Sequence, residues 1–437
     1  MELTREVQRL ALSFLVLFAL IGSAATYWAT FGADSILLRE DNPRTVEDEA
    51  AIRRGGLYPR NENTPLAATV ENDDGSLTRI YYDPASYSYT GYFSLRYGVG
   101  GAEAAYDPLL RGETDRSLET YFQQEILHLP QVGLDVQLTL DSRIQQHLYE
   151  ALNGMRGAAV VLRVPDGAVA AMVSLPTYDP NVLDEQWETL IEAEGNPFFN
   201  RAVQGQYQPG GLIQTSLVGL ALLQQESLSA IQAGATEPVT INNLSLTCAL
   251  APPSDSLTLQ QAYAYSCPTP FLQLAQVIPQ NTIEESFMRL SRIGTPRLEG
   301  FIPDNPEVER TPEATASITA TYEEWLLGQG QLTVSPLGIA SATGALINAG
   351  NAPLPYTLSA IREPGSEWNN QPHIAQTLPL TTETIARRLR EQMQNNLRVL
   401  GTAIPDGTTI GGHVALSYSG EETQAWFTGF ILLEGGR

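Results

Sequence analysis

The sequence predicts an α+β protein held on one N-terminal membrane-spanning helix, with a small β-rich domain followed by a larger domain in which helices cover an antiparallel sheet. Three observations predict it. Residues 10–31 form an uncharged apolar run. The turn sequence Val164-Pro165-Asp166-Gly167 joins two apolar strands. Several helical segments then precede two closing strand-like stretches.

The apolar run LALSFLVLFALIGSAATYWATF, at about 1.5 Å per residue, makes roughly 33 Å of helix, enough for the hydrocarbon core of a bilayer. Tyr27 and Trp28 then fall at the far interface, and Arg5 and Arg9 in the 1–9 tail predict a cytoplasmic start with the body outside. The alternative is a cleaved signal peptide, with Ser23-Ala24-Ala25 as its small-residue site. Either way the remaining chain lies on the outer face of the membrane.

Residues 34–130 are rich in tyrosine, glycine and arginine with short alternating runs such as Thr78-Arg79-Ile80-Tyr81-Tyr82, which predicts a small, irregular β-rich domain. The texture changes near residue 131, where the larger domain, residues 131–437, begins. There a strand-like stretch from Gly133 runs into a helix capped by Asp141 or Ser142, with Ile144, Leu148 and Leu152 on one stripe. Strands 158–162 and 168–173 form a hairpin, since proline presets φ and glycine accepts a positive one. Beyond Gly211, LIQTSLVGLALLQQ is apolar on nearly every face, the pattern of a buried helix. Helices follow over 257–264 and 271–277, from Ser335-Pro336 through Leu346, and over 384–400, the last with Ile385, Leu389, Met393, Leu397 and Leu400 inward and its arginines solvated. Stretches 411–417 and 423–433 close the chain.

Composition excludes much chemistry. Among 437 residues, 25 basic side chains stand against 49 acidic ones, a formal charge of −24, and every basic one is arginine. Without lysine there is no Schiff base, no lysine general base and no P-loop lysine, because a guanidinium does not lose its proton in proteins. Nucleic acid is excluded as a partner, since its phosphates need a basic face. His128, His147, His373 and His413 are scattered, with neither HExxH nor CxxC, so no metal or cofactor is indicated. Cys248 and Cys267, outside the cytoplasm, favour a disulfide, with two free thiols as the alternative.

The order of short motifs resembles the class B penicillin-binding proteins, the membrane-anchored D,D-transpeptidases of peptidoglycan synthesis. Asp41-Asn42-Pro43-Arg44 and Ile52 to Asn61 are similar to the family's opening of its pedestal, the dimerisation-type domain. Thr90-Gly91-Tyr92-Phe93, the run Gly101 to Asp107 and Leu110-Arg111-Gly112 follow in order. Gly157 to Leu162 and Met172 to Asn181 resemble the first hairpin of the transpeptidase fold. Asn200-Arg201-Ala202 with Tyr207-Gln208-Pro209-Gly210 resembles the lead-in to the nucleophile, and Gly328-Gln329-Gly330 with Pro336-Leu337 a later landmark. The resemblance implies a transpeptidase-like larger domain, and the family's similar pair implies a Cys248–Cys267 disulfide.

It also implies that the catalytic motifs are lost. Where the family has Ser-x-x-Lys, with the hydroxyl attacking the stem peptide and the lysine taking its proton, this chain has Gly211-Leu212-Ile213-Gln214. The Ser-x-Asn position reads Ser266-Cys267-Pro268, which keeps the hydroxyl and loses the amide. The Lys-Thr/Ser-Gly position falls at His413-Val414-Ala415, ahead of Ala425-Trp426-Phe427-Thr428-Gly429-Phe430. Gly211, Gln214, Ser266, Pro268, His413 and Ala415 therefore mark a relic groove, with Ser266 expected as a satisfied helix-start hydroxyl, His413 as an exposed strand residue, and Ser216 as bonded back to its helix. In the family another strand and a helix follow; here the closing hairpin is expected either to pair with the Val160 strand or to leave an open edge.

The implied function is that of a scaffold or regulator of cell-wall elongation or division, in contact with membrane proteins of the lipid-II polymerase type. One alternative is a non-covalent binder of peptidoglycan stem peptides, weak because His413 replaces a cation and tightening as His413 titrates near pH 6.5. The other is a residual transpeptidase or carboxypeptidase that pairs Ser266 with His413.

Overall fold

The computed structural model describes residues 2–27, 49–113, 131–241, 244–296, 298, 300–301, 322–329, 332–419 and 422–433. The 28–31 end of the expected span, residues 34–48 and 114–130 of the small domain, the Asp41-Asn42-Pro43-Arg44 motif and His128 lie outside the described residues. Two compact units result: Met1–Arg53 with Val70–Thr78 and Arg116–Val132, and Arg54–Thr69 with Arg79–Asp115 and Gly133–Arg437.

In the first unit, α1 (Glu2–Tyr27) contains Val7–Tyr27, the one stretch among the described residues that is helical, long and apolar enough to cross a membrane. Ser13, Ser23 and Thr26 each donate to the carbonyl four residues earlier, at 2.9, 2.7 and 2.8 Å, so these hydroxyls are satisfied within the helix, as a bilayer interior requires.

Strands β1 (Leu57–Tyr58), β2 (Ala67–Glu71), β3 (Leu77–Tyr81) and β4 (Asp135–Leu138) enter a six-stranded sheet. β1 runs parallel to β4, with Leu57 opposite Val136, and antiparallel to β2. α2 (Ser142–Leu152) follows, with Asp141 as its N-cap accepting from the Arg143 amide. Its inward residue is not the expected Ile144, which is exposed, but Gln145, which is fully buried. The Gln145 amide donates to the carbonyls of Ala85 and Met172 and accepts from the Met172 amide at 2.9 Å, so one polar side chain satisfies three backbone groups that an isoleucine would leave bare.

The VPDG turn does make a hairpin, β5 (Gly157–Leu162) with β6 (Val169–Leu175), and every residue of β6 is buried. The apolar helix α3 (Gln214–Leu223) enters through a 3₁₀ turn at Gly210–Ile213. Next come α4 (Leu259–Tyr265), closed at its start by a Thr258–Gln261 capping box, the helix Thr269–Ala275, and α5 (Gln280–Gly294). α6 (Pro336–Ile347), capped by Ser335, is buried along most of its length. β7 (Leu358–Arg362) and β8 (Asn369–Asn370) complete the six-stranded sheet, in the order β8-β7-β4-β1-β2-β3. α7 (Glu383–Val399) buries Ile385, Leu389, Met393 and Leu397, the stripe its periodicity predicts. β9 (Thr409–Ser419) and β10 (Glu422–Leu432) form the closing hairpin. It does not pair with β5 among the described residues; each hairpin is its own two-stranded sheet. Both lean on α6, where Thr343 bonds Thr428 of β10 and Gly344 packs by Val164 at the end of β5.

One core joins Leu57, Tyr81, Tyr89 and Leu110 with Val169, Met172, Val203 and Leu337, so residues on both sides of position 130 pack together. A second core around α3, α4, α5 and α7 supports the site described next.

Candidate functional site

Gly211, Gln214, Ser266, Pro268, His413 and Ala415 come together. Gly211 sits in the 3₁₀ turn ahead of α3, and a β-carbon built on it would point at the Ser266 Oγ, 2.4 Å away, with the Ala415 Cβ at 3.2 Å and the Gln214 Nε2 at 3.5 Å. Pro268 lines the same small space with Gly211, Gln214 and Ser266. His413, on β9, bonds the Gly211 carbonyl through Nε2 at 3.1 Å. The backbone approach is close: Gly210 has φ +51, and any β-carbon there would lie 2.2 Å from the Leu416 carbonyl oxygen, so only glycine fits both the torsion and the gap. The groove is thus assembled around a position that has no side chain.

The cavity among these residues measures about 20 Å³, room for about one water molecule. The Gln214 Oε1, the Ser266 Oγ and both side-chain atoms of Gln329, a further lining residue, are shielded from solvent and have no hydrogen-bond partner.

Three expectations change. Ser266 does not begin a helix; it ends α4, as a C-cap residue at φ 52 in the left-handed region, and its hydroxyl is unpartnered rather than satisfied. His413 is not an exposed strand residue but 1% exposed, because β9 lies against the turn at Gly211 and the imidazole stacks on Tyr263 with centroids 4.3 Å apart. Burial pushes its pKa down to about 4, against the weaker opposing pull of the Gly211 and Tyr263 carbonyls, so His413 stays neutral where a pH switch near 6.5 was expected. Ser216 makes no bond back to its helix; it lines a separate cavity on the far side of α3. Among the described residues the Ser266 Oγ has no hydrogen-bond partner, and the His413 Nε2 is engaged by the Gly211 carbonyl.

Cys248 and Cys267 are joined in a disulfide, which ties the buried Cys267 beside Ser266. Sequence reasoning missed Tyr263, which is fully buried, bonds Thr215 at 2.8 Å and floors the site under His413; its phenol is held well above its normal range by burial. It also missed Asn396 of α7, which donates to the Gly412 carbonyl at 3.1 Å and holds β9 in place. No motif marks either one. The signal available was position, since Tyr263 lies one helical turn before Ser266.

The motif pieces of the small domain also come together. Arg54 meets Asp107 at 2.6 Å and Glu103 at 2.8 Å, Arg79 meets Glu103 at 2.6 Å, and the Arg54 guanidinium lies 4.3 Å over the Phe93 ring. Glu103 is fully buried. Burial pushes its carboxyl up, but Arg79 and Arg54 outweigh this and hold it below its normal value.

Residues 157–430 match the penicillin binding protein transpeptidase domain, and residues 54–136 the penicillin binding protein A dimerisation domain. The chain is 27% identical over 381 residues to the peptidoglycan D,D-transpeptidase PbpA of Mycolicibacterium smegmatis, covering 82% of this chain and 76% of that protein. It is 26% identical over 312 residues to the peptidoglycan D,D-transpeptidase MrdA of Escherichia coli K12, covering 63% of this chain and 47% of that one. Among solved structures, penicillin-binding protein A from M. tuberculosis, as its imipenem acyl-enzyme, superposes with a TM-score of 0.72 at 24% identity, covering 88% of this chain and 92% of that one. Pseudomonas aeruginosa PBP2 superposes at 0.63 with 20% identity, covering 88% and 92%. At these identities the structural likeness establishes the fold.

Proposed function

Because the chain belongs to the penicillin-binding protein transpeptidase family, we propose that it is a membrane-anchored, catalytically inactive member that acts in peptidoglycan synthesis or division as a scaffold or regulator. The observation that carries this reading is Gly211: at the position aimed into the groove there is no oxygen to acylate. Two further facts support it. Gln214 has no amine to accept a proton, and no lysine exists anywhere in the chain to replace the missing cation. The neutral, carbonyl-bound His413 and the unbonded Ser266 speak against residual chemistry by that pair. A cavity of about 20 Å³ speaks against the stem-peptide binder.

In this reading the N-terminus is cytoplasmic, as Arg5 and Arg9 predict, and both the small domain and the larger one lie outside the membrane. The partners are membrane proteins of cell-wall synthesis, of the lipid-II polymerase type, and they are met through the helix and the small domain.

Two experiments test the proposal. A fluorescent penicillin is expected to leave no denaturant-stable band near 47.6 kDa, and a covalent adduct there would refute the inactive reading. Crosslinking in the native membrane is expected to capture cell-wall synthesis proteins, and capture of none would refute the scaffold reading.

A further inference from the structure

α3 separates two cavities. Gly211 and Gln214 face the small site, whereas Leu212, Ser216, Gly219 and Leu223, at spacings of one helical turn, face a second cavity of about 200 Å³ between α3, α5, α6 and α7, open to solvent on one side. This accounts for a helix that is apolar on every side: one face meets the core, and the other meets an unfilled space.

The cavity has a definite chemistry. Its floor is apolar, formed by Leu220, Leu290, Leu346, Leu389 and Met393. Eight hydroxyl side chains line it, and four are already engaged: Thr343 with Thr428, Thr215 with Tyr263, and Thr382 as the N-cap of α7. The hydroxyls of Ser216, Thr282, Ser286 and Thr381 make no hydrogen bond among the described residues, and of these four Ser216 is the one carried by α3. The only charged lining residues are Glu285 and Arg289, which lie 3.9 Å apart with side chains 62% and 53% exposed. They offset each other at the rim, so nothing inside compensates a charge on a ligand. A dry apolar cavity of about 150 Å³ accepts benzene, which sets the scale for this larger one.

We propose that this cavity binds a small neutral molecule with a one- or two-ring apolar body and a single hydrogen-bonding group, of the phenol or indole class, seated on the leucine and methionine floor with its polar group on the Ser216 hydroxyl. The site is distinct from the relic groove and needs none of its residues.

Indole titrated into the full-length protein in detergent tests it, read by calorimetry and by the thermal midpoint. Saturable binding and a midpoint that rises with indole concentration are expected. Ser216→Leu fills the space from α3 and is expected to weaken binding by at least about tenfold, with the midpoint of the free variant unchanged or raised. Ser216→Ala keeps the space and is expected to weaken indole more than benzene, which makes no hydrogen bond. Ser266→Ala, on the other side of α3, is expected to leave the affinity unchanged. If Ser216→Leu does not fold, Ala342→Val narrows the cavity from α6 and carries the same reading. No saturable binding up to the solubility limit of indole, or undiminished binding by the folded filled variant, would overturn the proposal.

Discussion

The ion cluster around Glu103 and the relic groove around Gly211 bury polar groups to the same depth and treat them oppositely. Glu103 is fully buried, yet it is met by two guanidinium groups at 2.8 and 2.6 Å. Gln214 and Ser266, each 3% exposed, carry oxygens with no partner at all. The difference teaches what each kind of group tolerates. An unpaired buried charge costs several kcal/mol, so a charged cluster persists only when compensated. A neutral buried polar atom left alone costs about 1–3 kcal/mol, which a large core can absorb. Around position 211 the unpartnered oxygens of Gln214 and Ser266 belong to neutral groups, whereas the carboxylate of Glu103 is paired.

The sharpest way to break this contrast is Glu103→Gln, which leaves Arg54 and Arg79 buried without their shared carboxylate. A loss of about 3–5 kcal/mol in chemical denaturation is expected, against little change for a neutral substitution in the groove. A loss below about 1 kcal/mol would show that the cluster is not what fixes this region. Because the folded carboxyl is held below its normal value, its contribution is complete above the ordinary carboxylate range and fades as the pH falls through that range.

His413 gives the next largest effect, and it too is pH-dependent. Its folded pKa of about 4 lies below its ordinary 6.5, so the unfolded chain takes up the proton first. Stability is therefore complete above pH 6.5 and is expected to fall by about 3 kcal/mol by pH 4. In His413→Gln that part of the slope should vanish; an unchanged slope would mean that the imidazole is not buried neutral.

Gly211→Ser comes third. Its β-carbon would meet the Ser266 Oγ at 2.4 Å, so a loss of about 1–3 kcal/mol is expected. Adding Ser266→Gly removes the obstructing oxygen and also relieves a non-glycine residue at φ 52, so the double variant should recover most of the loss. Additive losses would show that the two positions do not touch. Neither variant should acquire a penicillin adduct, since Gln214 remains unable to act as a base.

The smallest effect belongs to Gln214→Leu, which replaces an unpartnered buried amide oxygen by an apolar group. Stability is expected to stay within about 1 kcal/mol or to rise, and a larger loss would reveal a partner for that amide.

Much of the fold was legible where its determinants are local. The Val164-Pro165-Asp166-Gly167 turn, the Ser335 and Asp141 caps and the Ile385–Leu389–Met393–Leu397 stripe each specify their element within a few residues. The stripe on α2 failed for a physical reason: the 3.6-residue period fits Ile144, but only the amide of Gln145 satisfies the backbone of a strand 27 residues away. The site was legible as a set of positions, because the order of short motifs along the chain marks where segments meet even where individual residues differ. Its burial was not legible, since His413 owes its environment to Gly211, 202 residues earlier, and to the ring of Tyr263.

By itself the sequence determined what this protein does not possess. No fold supplies an oxygen to Gly211 or an amine to a chain without lysine, because covalent identity is settled before folding begins. It also determined the apolar span of the N-terminal helix, whose length and hydropathy are properties of adjacent residues. Only the tertiary structure decided that the space among these residues measures about 20 Å³, that His413 is neutral, that the Ser266 hydroxyl is unpartnered among the described residues, and that a cavity of about 200 Å³ lies behind α3. Those outcomes depend on how side chains from distant segments exclude water from one another, and exclusion is a property of the packed assembly that no short stretch of chain encodes.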